Sequence, residues 1–449
     1  MDKREFLKTT GAFVAATMLP HIDASTEATG HRTNWSGNLT YSTDNLQSPA
    51  SVEELQKLVK SSAHLRALGS RHSFNSIADS RFEQISVAHL NDTALDEAAH
   101  RVTVGGGVTY AQLAPWLTQR GYALHNLASL PGVTVIGACS TATHGSGLHN
   151  GNLATPVAAI EFVAADGSLV QLSRDKDGDA FLGAVVGLGA LGVVTKLTLD
   201  VQPTYLVAQS VYQNLDFDEL RHNIDGIYGA GYSVSLFTDW QHHRATQVWI
   251  KKRLATANES IQWPQLFYNA TLAKEKLHPI TGHPAESCTD QLGIPGPWYD
   301  RLPHFRIGQT PSSGHELQTE YLIPYEHAFD AILAVEKLRD QITPHLFVTE
   351  LRTIAADNLW MSTAYQRQSL AIHFTWKPEW PAVRTLLPKI EAALAPYDLR
   401  PHWGKLFTLP PAQLESRYTK LADFKALIKR YDPQGKFRND FLSTNLYTS

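Results

Sequence analysis

One short polar turn limits what this chain can be more than any other feature. Leu65-Arg66-Ala67-Leu68 reads as a brief apolar strand, and Gly69-Ser70-Arg71-His72-Ser73-Phe74-Asn75 comes after it without a break. Gly69 gives backbone freedom, the serines supply hydroxyls, and successive N–H groups in such a turn form a concavity suited to an anion. By spacing alone, a Gly-Ser-x-His turn is more often a surface loop carrying a solvated histidine. The rest of the chain has to decide between the two.

Three further segments bear on that choice. Val104-Gly105-Gly106-Gly107-Val108 precedes an expected helix over 110–120, and Asn126-Leu127-Ala128-Ser129-Leu130-Pro131 leads into Thr134-Val135-Ile136-Gly137-Ala138-Cys139-Ser140-Thr141-Ala142-Thr143-His144-Gly145-Ser146-Gly147. The last run is dense in small residues. These let a backbone lie against a flat ring system and a diphosphate, where a long or branched side chain would collide. Any one segment is an ordinary glycine-rich loop; together, in this order, they are a strong signal. Gly187-Leu188-Gly189-Ala190-Leu191-Gly192 matches the dinucleotide pattern, but residues 193–200 directly after it alternate and are β-branched. Its glycines enter a strand instead of opening a helix, and no acidic residue stands near the ribose position, so a Rossmann site is not expected.

Residues 49–201 alternate short apolar strands (65–68, 101–104, 157–164, 193–201) with helical segments such as 51–62, and Asp166-Gly167 is a hairpin signal. From about residue 203 aromatic-rich strands and longer loops take over, including a Pro-, Gly- and His-rich stretch over 262–310 of the kind that is usually functional. The expected fold is α+β with two domains, residues 34–203 and 204–400, the segment 401–449 returning to the first. With 449 residues, 43% hydrophobic and 18% charged, the chain can bury substantial cores. A net charge of −4 without a basic stripe gives no reason to expect nucleic acid. The two cysteines, Cys139 and Cys288, read as buried thiols. No His/Asp/Glu cluster has metal-ligand spacing, so no metal is expected.

Residues 1–30 begin with Lys3-Arg4 and continue into an apolar run over 9–19, too short for a membrane span and readable as a signal peptide. The leader resembles a twin-arginine signal with Lys3 in place of the first arginine, a route that accepts folded, cofactor-loaded cargo. Export to the periplasm or medium is expected, with a cytoplasmic protein as the alternative.

The four glycine- and small-residue segments, in their order, resemble the vanillyl-alcohol oxidase and p-cresol methylhydroxylase family. The resemblance implies a bound FAD, with Ala67, Leu68, Gly69, Ser70, Arg71, His72, Ser73, Ser129, Thr134, Gly137, Thr141, Ala142, Thr143, His144 and Val194 around it. It also implies a covalent 8α-histidyl bond through His72, and places His144 on ribityl or phosphate oxygens. Asn34-Trp35-Ser36-Gly37-Asn38, Ser235-Leu236-Phe237-Thr238-Asp239-Trp240, Pro295-Gly296-Pro297-Trp298, Glu350-Leu351-Arg352-Thr353, His373-Phe374-Thr375-Trp376 and His402-Trp403-Gly404-Lys405 lie outside the flavin loops. They resemble the alditol oxidases, flavoenzymes that oxidise a terminal hydroxyl of polyols such as xylitol, from about residue 34 to near the C-terminus.

Alcohol oxidation of this kind needs a hydride acceptor, flavin N5, a group for the hydroxyl proton, and partners for the remaining hydroxyls. Glu350 and Arg352 alternate, as do His373 and Thr375, so each pair shares one strand face. Alternation alone fits a solvated face better; the resemblance makes it a polar floor, with Ser129, Glu350, Arg352, Thr375 and Lys405 as substrate contacts and Arg352, His373 and Lys405 as the catalytic set. Sequence leaves open whether His373 or Lys405 is the base. Ala128 matches a position beside the flavin that leaves room for O2. The expectation is a monomeric oxidase of a small polyol that forms H2O2. A sugar-1,4-lactone oxidase or dehydrogenase is the alternative within the fold, and a flavin carrier with a decayed site is the alternative outside it.

Overall fold

The structure, a computed structural model, describes residues 31–254, 256, 259, 261–309 and 314–447. The leader in residues 1–30 lies outside them.

Three sheets carry the site. The smallest is parallel, with Leu65–Leu68 on one side of Glu83–Ser86 and Leu46–Gln47 on the other. The helix that covers it, Val52–Ser61, starts where its sequence says it should. Ser51 accepts from the Glu54 N–H, the Glu54 carboxylate reaches back to the Ala50 N–H at 2.8 Å, and Leu55 and Val59 are buried. Arg66 points inward from this sheet and is 3% exposed. Among the described residues no carboxylate touches its guanidinium. Instead it donates to the carbonyls of Ile77, Leu188, Gly189 and Phe437, tying the strand to the glycine turn at 187–192 and to the C-terminal return.

The second sheet is antiparallel and five-stranded, in the order Thr93–Asp96, Arg101–Gly105, Val193–Asp200, Val157–Val163, Leu169–Ser173. Its last hairpin turns at Asp166-Gly167, with Gly167 at φ +83°. Residues 187–192 do enter the strand Val193–Asp200. One element was not legible: Val135–Ser140 is a short helix inside the small-residue run.

The third sheet has ten strands, all paired antiparallel. Its centre runs Arg244–Leu254, Ser233–Thr238, Leu346–Ile354, Ser369–Trp376, Leu317–Pro324, Arg400–Pro401. Period-two alternation splits its residues between two environments. Tyr321 faces the helix Trp380–Leu394, donating its hydroxyl to Glu391 at 2.9 Å, and Phe374 stacks on Trp376. Glu320, Glu350 and His373 take the opposite face, which closes the cleft. Backbone bonds from Phe74 N to Gly404 O and from Leu65 N to Lys436 O tie the segment after Arg400–Pro401 to the first sheet and its turn. Among the described residues no helix is long and apolar enough to cross a membrane. Cys139 and Cys288 are free and buried.

Candidate active site

A continuous cleft runs from the turn after Leu68 to the floor of the ten-stranded sheet. At the turn, Arg71 holds φ +64°, left-handed backbone that a non-glycine residue rarely adopts. The N–H groups of Ser70, His72 and Ser73 donate to no described acceptor, and Ser70 Oγ accepts from the Thr134 N–H at 3.3 Å. Thr134, Gly137, Thr141, Thr143 and Val194 complete this end of the cleft. Behind it the backbone is packed without room for a side chain: a Cβ on Gly192 would meet Val163 O at 2.4 Å, and one on Gly106 would meet Val87 Cγ2 at 2.5 Å. Unused N–H groups beside a wall of small residues fit a diphosphate and a flat ring, so the residues present fit FAD.

His72 stacks on Trp35, with ring centroids 5.0 Å apart and planes 18° from parallel. Burial pushes its pKa down to about 4, so the ring is neutral. Its Nδ1 lies 3.1 Å from Ser70 O, and a carbonyl only accepts, so Nδ1 carries the proton and the Nε2 lone pair is left free.

The other end is built from side chains. Register places Glu350 opposite His373 and His373 opposite Glu320, one row across three strands. Lys405 arrives from the segment that continues the sheet edge, where His402 N donates to Glu320 O and Leu406 N to Gln318 O. Its ammonium stands 2.9 Å from Glu320 Oε2 and 2.6 Å from His373 Nδ1. Arg352 donates to Glu320 Oε1 at 2.6 Å and lies 3.5 Å from Glu350 Oε2. His304 meets Glu350 Oε1 at 2.7 Å. His373 Nε2 lies 3.2 Å from the Thr375 hydroxyl.

Burial would raise both carboxylates, but the neighbours win. Lys405, His144 and Arg352 hold Glu320 well below the usual range, and Arg352 and His304 do the same for Glu350. Burial, then the Lys405 charge, pushes His373 down to about 4. Burial also lowers Lys405, against the pull of Glu320. The floor therefore holds a neutral imidazole whose two nitrogens are already engaged, and an amine whose proton is easier to remove than usual.

The cleft brings together Ala67 to Ser73, Ser129, Thr134, Gly137, Thr141, Thr143, His144, Val194, Glu350, Arg352, His373, Thr375 and Lys405. Ala142 does not line it. That residue is fully buried at φ +54°, where it turns the chain between Thr141 and Thr143, whose hydroxyls lie 3.1 Å apart. His144 sits nearer the floor than expected: Nδ1 meets Gly145 O at 2.9 Å, and Nε2 is 3.4 Å from Glu320 Oε1, out of line for a hydrogen bond. Sequence reasoning missed Glu320, the hub of the floor, and His304. The alternation of Glu316, Gln318 and Glu320 was the available signal.

Residues 44–173 match the FAD binding domain family, and residues 313–445 match the D-arabinono-1,4-lactone oxidase family. An alditol oxidase from Streptomyces sp. is 47% identical over 414 residues, 91% of this chain and 97% of that protein. An L-gulono-1,4-lactone dehydrogenase from Mycobacterium tuberculosis is 28% identical, again over 91% of this chain and 97% of that one. Among solved structures, a cholesterol oxidase from B. sterolicum superposes with a TM-score of 0.73 at 14% identity, covering 92% of this chain and 96% of that one, a likeness of fold alone. A cleft whose residues fit FAD, the two matched families and the near-complete alignment agree: this chain belongs to the alditol oxidases, within the vanillyl-alcohol oxidase and p-cresol methylhydroxylase family of FAD-binding oxidoreductases.

Proposed function

We propose that this protein oxidises a terminal hydroxyl of a small polyol to the aldehyde. The observation that carries this reading is the floor itself: Glu350, Arg352, Thr375 and Lys405 line one end of the cleft and offer both donors and acceptors to hydroxyls. Its charges are Arg352 and Lys405 against Glu316, Glu320 and Glu350, with no excess of cations to draw a sugar acid. A neutral, hydroxyl-rich molecule suits that balance.

FAD, when bound, supplies the hydride acceptor. Lys405, as the neutral amine, takes the hydroxyl proton; the ammonium so formed is held by Glu320 and donates to His373 Nδ1, both already in place. His373 is engaged through both nitrogens, which makes it the support and Lys405 the base. Arg352 stabilises the developing alkoxide charge while Glu350 accepts from a neighbouring hydroxyl. Dioxygen, reduced to H2O2, is the electron acceptor we favour, because small Ala128 lines the cleft beside Ser129 and leaves an approach path. A covalent bond between FAD and His72 is part of this reading, since a neutral ring with a free lone pair is the nucleophile such a bond requires. The leader supports export, which cell fractionation tests.

One experiment tests the core. The purified protein is precipitated with acid and its pellet inspected, and a native sample is mixed anaerobically with xylitol. A yellow pellet that turns colourless in His72→Ala, and bleaching of the native sample, are expected. A colourless wild-type pellet overturns the covalent bond; bleaching by L-gulono-1,4-lactone and not by xylitol overturns the substrate and favours the lactone reading.

A further inference from the structure

Behind the floor lies a lysine that does not line the cleft but touches His304, which does. Lys251, on the strand Arg244–Leu254, is 1% exposed. Among the described residues no carboxylate contacts it. Its Nζ donates to Leu302 O and to Pro303 O at 3.3 Å, and stands 3.4 Å from His304 Nδ1. Burial pushes the Lys251 pKa down to about 7, against the pull of Glu350, and as the ammonium its three donors meet these three acceptors.

We infer that Lys251 fixes the tautomer of His304, and through it holds Glu350 aimed at the substrate: it is a positioning residue of the site. The substrate half of this inference rests on the polyol reading above. The Glu350 carboxylate facing Nε2 only accepts, and the protonated Lys251 donating toward Nδ1 keeps that nitrogen bare. The ring proton then sits on Nε2 and is donated to Glu350 Oε1 at 2.7 Å. The ring itself is wedged edge-on between Phe237 and Trp249, at 5.4 and 5.2 Å between centroids, so it cannot turn away to find another arrangement. Burial, with the Lys251 charge second, pushes the His304 pKa down to about 4, so the imidazole carries one proton only and its location matters. Without Lys251 no donor faces Nδ1 to keep it bare, and the ring proton is free to move there. Nε2 then presents a lone pair to the Glu350 carboxylate, two acceptors face each other, and Glu350 moves off its aim.

The test uses the FAD-bound enzyme labelled with [15N]histidine, and the His304 signals are those missing from His304→Gln. Nε2–H is expected in wild type, with a switch to Nδ1–H in Lys251→Met. In turnover, Lys251→Met should raise the xylitol KM roughly tenfold with kcat changed by less than about twofold, and Lys251→Arg, which keeps a donor, should return KM toward wild type. In the Glu350→Gln background, removing Lys251 should add nothing to KM. An unchanged His304 tautomer in Lys251→Met overturns the inference whatever the substrate proves to be. So does a KM effect that persists undiminished in Glu350→Gln. A tautomer switch with no response to xylitol even in wild type leaves the Lys251 assignment standing and sinks the polyol reading instead. Should Lys251→Met fail to fold, Lys251→Arg retaining Nε2–H beside Lys251→Gln losing it decides the same question.

Discussion

The two ends of the cleft are made by opposite means. At the turn end the working groups are backbone N–H groups and the constraint is space: Gly106 and Gly192 have no room for a Cβ, and the arginines there, Arg66 and Arg71, donate to backbone carbonyls. At the floor end the working groups are side chains, and the constraint is charge: Glu320, Glu350, Arg352 and Lys405 are all buried or nearly so and survive because each answers another. A methyl group should therefore damage the first and leave the second alone, while an isosteric change of charge should do the reverse.

The largest break is expected at Lys405. Lys405→Met keeps the shape and removes the proton acceptor, so the rate of flavin reduction in anaerobic stopped flow should fall by roughly a factor of 10²–10⁴, while the FAD content stays near wild type. A rate within about twofold of wild type would make Lys405 a hydroxyl anchor and return the base role to His373.

Glu320→Gln comes next. Removing one partner of a buried network leaves Lys405 and Arg352 short of a counter-charge, at a cost of about 3–5 kcal/mol in stability. The shifts set the sign with pH. Glu320 and Glu350 sit below their ordinary 4.5, so what they contribute is present above that value and lost as pH falls through the depressed ones. His304 and His373, lowered from 6.5 to about 4, also bind fewer protons folded than unfolded, so their contribution fades as pH falls from 6.5 toward 4. The wild-type melting temperature should decline across that window and steepen below it, and Glu320→Gln should flatten the steep part. Because Glu320 is what holds the Lys405 pKa up, the same variant should carry flavin reduction to lower pH. An unmoved pH profile would detach Glu320 from the proton step.

Gly192→Ala probes the other end. The new methyl would press on Val163 O, a backbone atom that cannot move alone, costing roughly 1–3 kcal/mol, and FAD loading should drop. Xylitol affinity of whatever fraction still holds FAD should not change. A fully loaded variant of normal stability would show that the wall has slack, and the contrast between the two ends would weaken.

That contrast also explains what the sequence disclosed. The turn end was readable because its chemistry is local: glycine, serine and small residues in one stretch define a backbone shape. The floor was half readable. Alternation exposed Glu350 with Arg352 and His373 with Thr375, but Glu320 sits in Leu317–Pro324 between Thr319 and Tyr321, and only the register of three strands makes it a hub. Register is not local. Lys251 was hidden differently, at the head of the basic run Lys251-Lys252-Arg253 that would ordinarily be a solvated face; Arg253 is exposed and Lys251 is not. The helix Val135–Ser140 was missed because Gly-Ala-Cys-Ser has weak helix propensity and it is packing that winds it.

The smallest effect is expected where the two ends meet. Ser129 belongs to the loop segment of the flavin half, yet its hydroxyl accepts from Arg352 Nη1 across the cleft at 3.4 Å. A bond that long, at a half-buried residue, is a weak one, and the guanidinium keeps Glu320 and Glu350 when it is lost. Ser129→Ala should therefore cost about 0.5–1.5 kcal/mol in polyol binding, a KM change of roughly two- to twelvefold, with FAD content, pellet colour and melting temperature unchanged. If Ser129 instead worked mainly for the flavin, the same substitution would lower FAD loading and leave KM alone. The two ends differ in what they tolerate, so which of these two quantities moves assigns Ser129 to the backbone-built end or to the charge-built one.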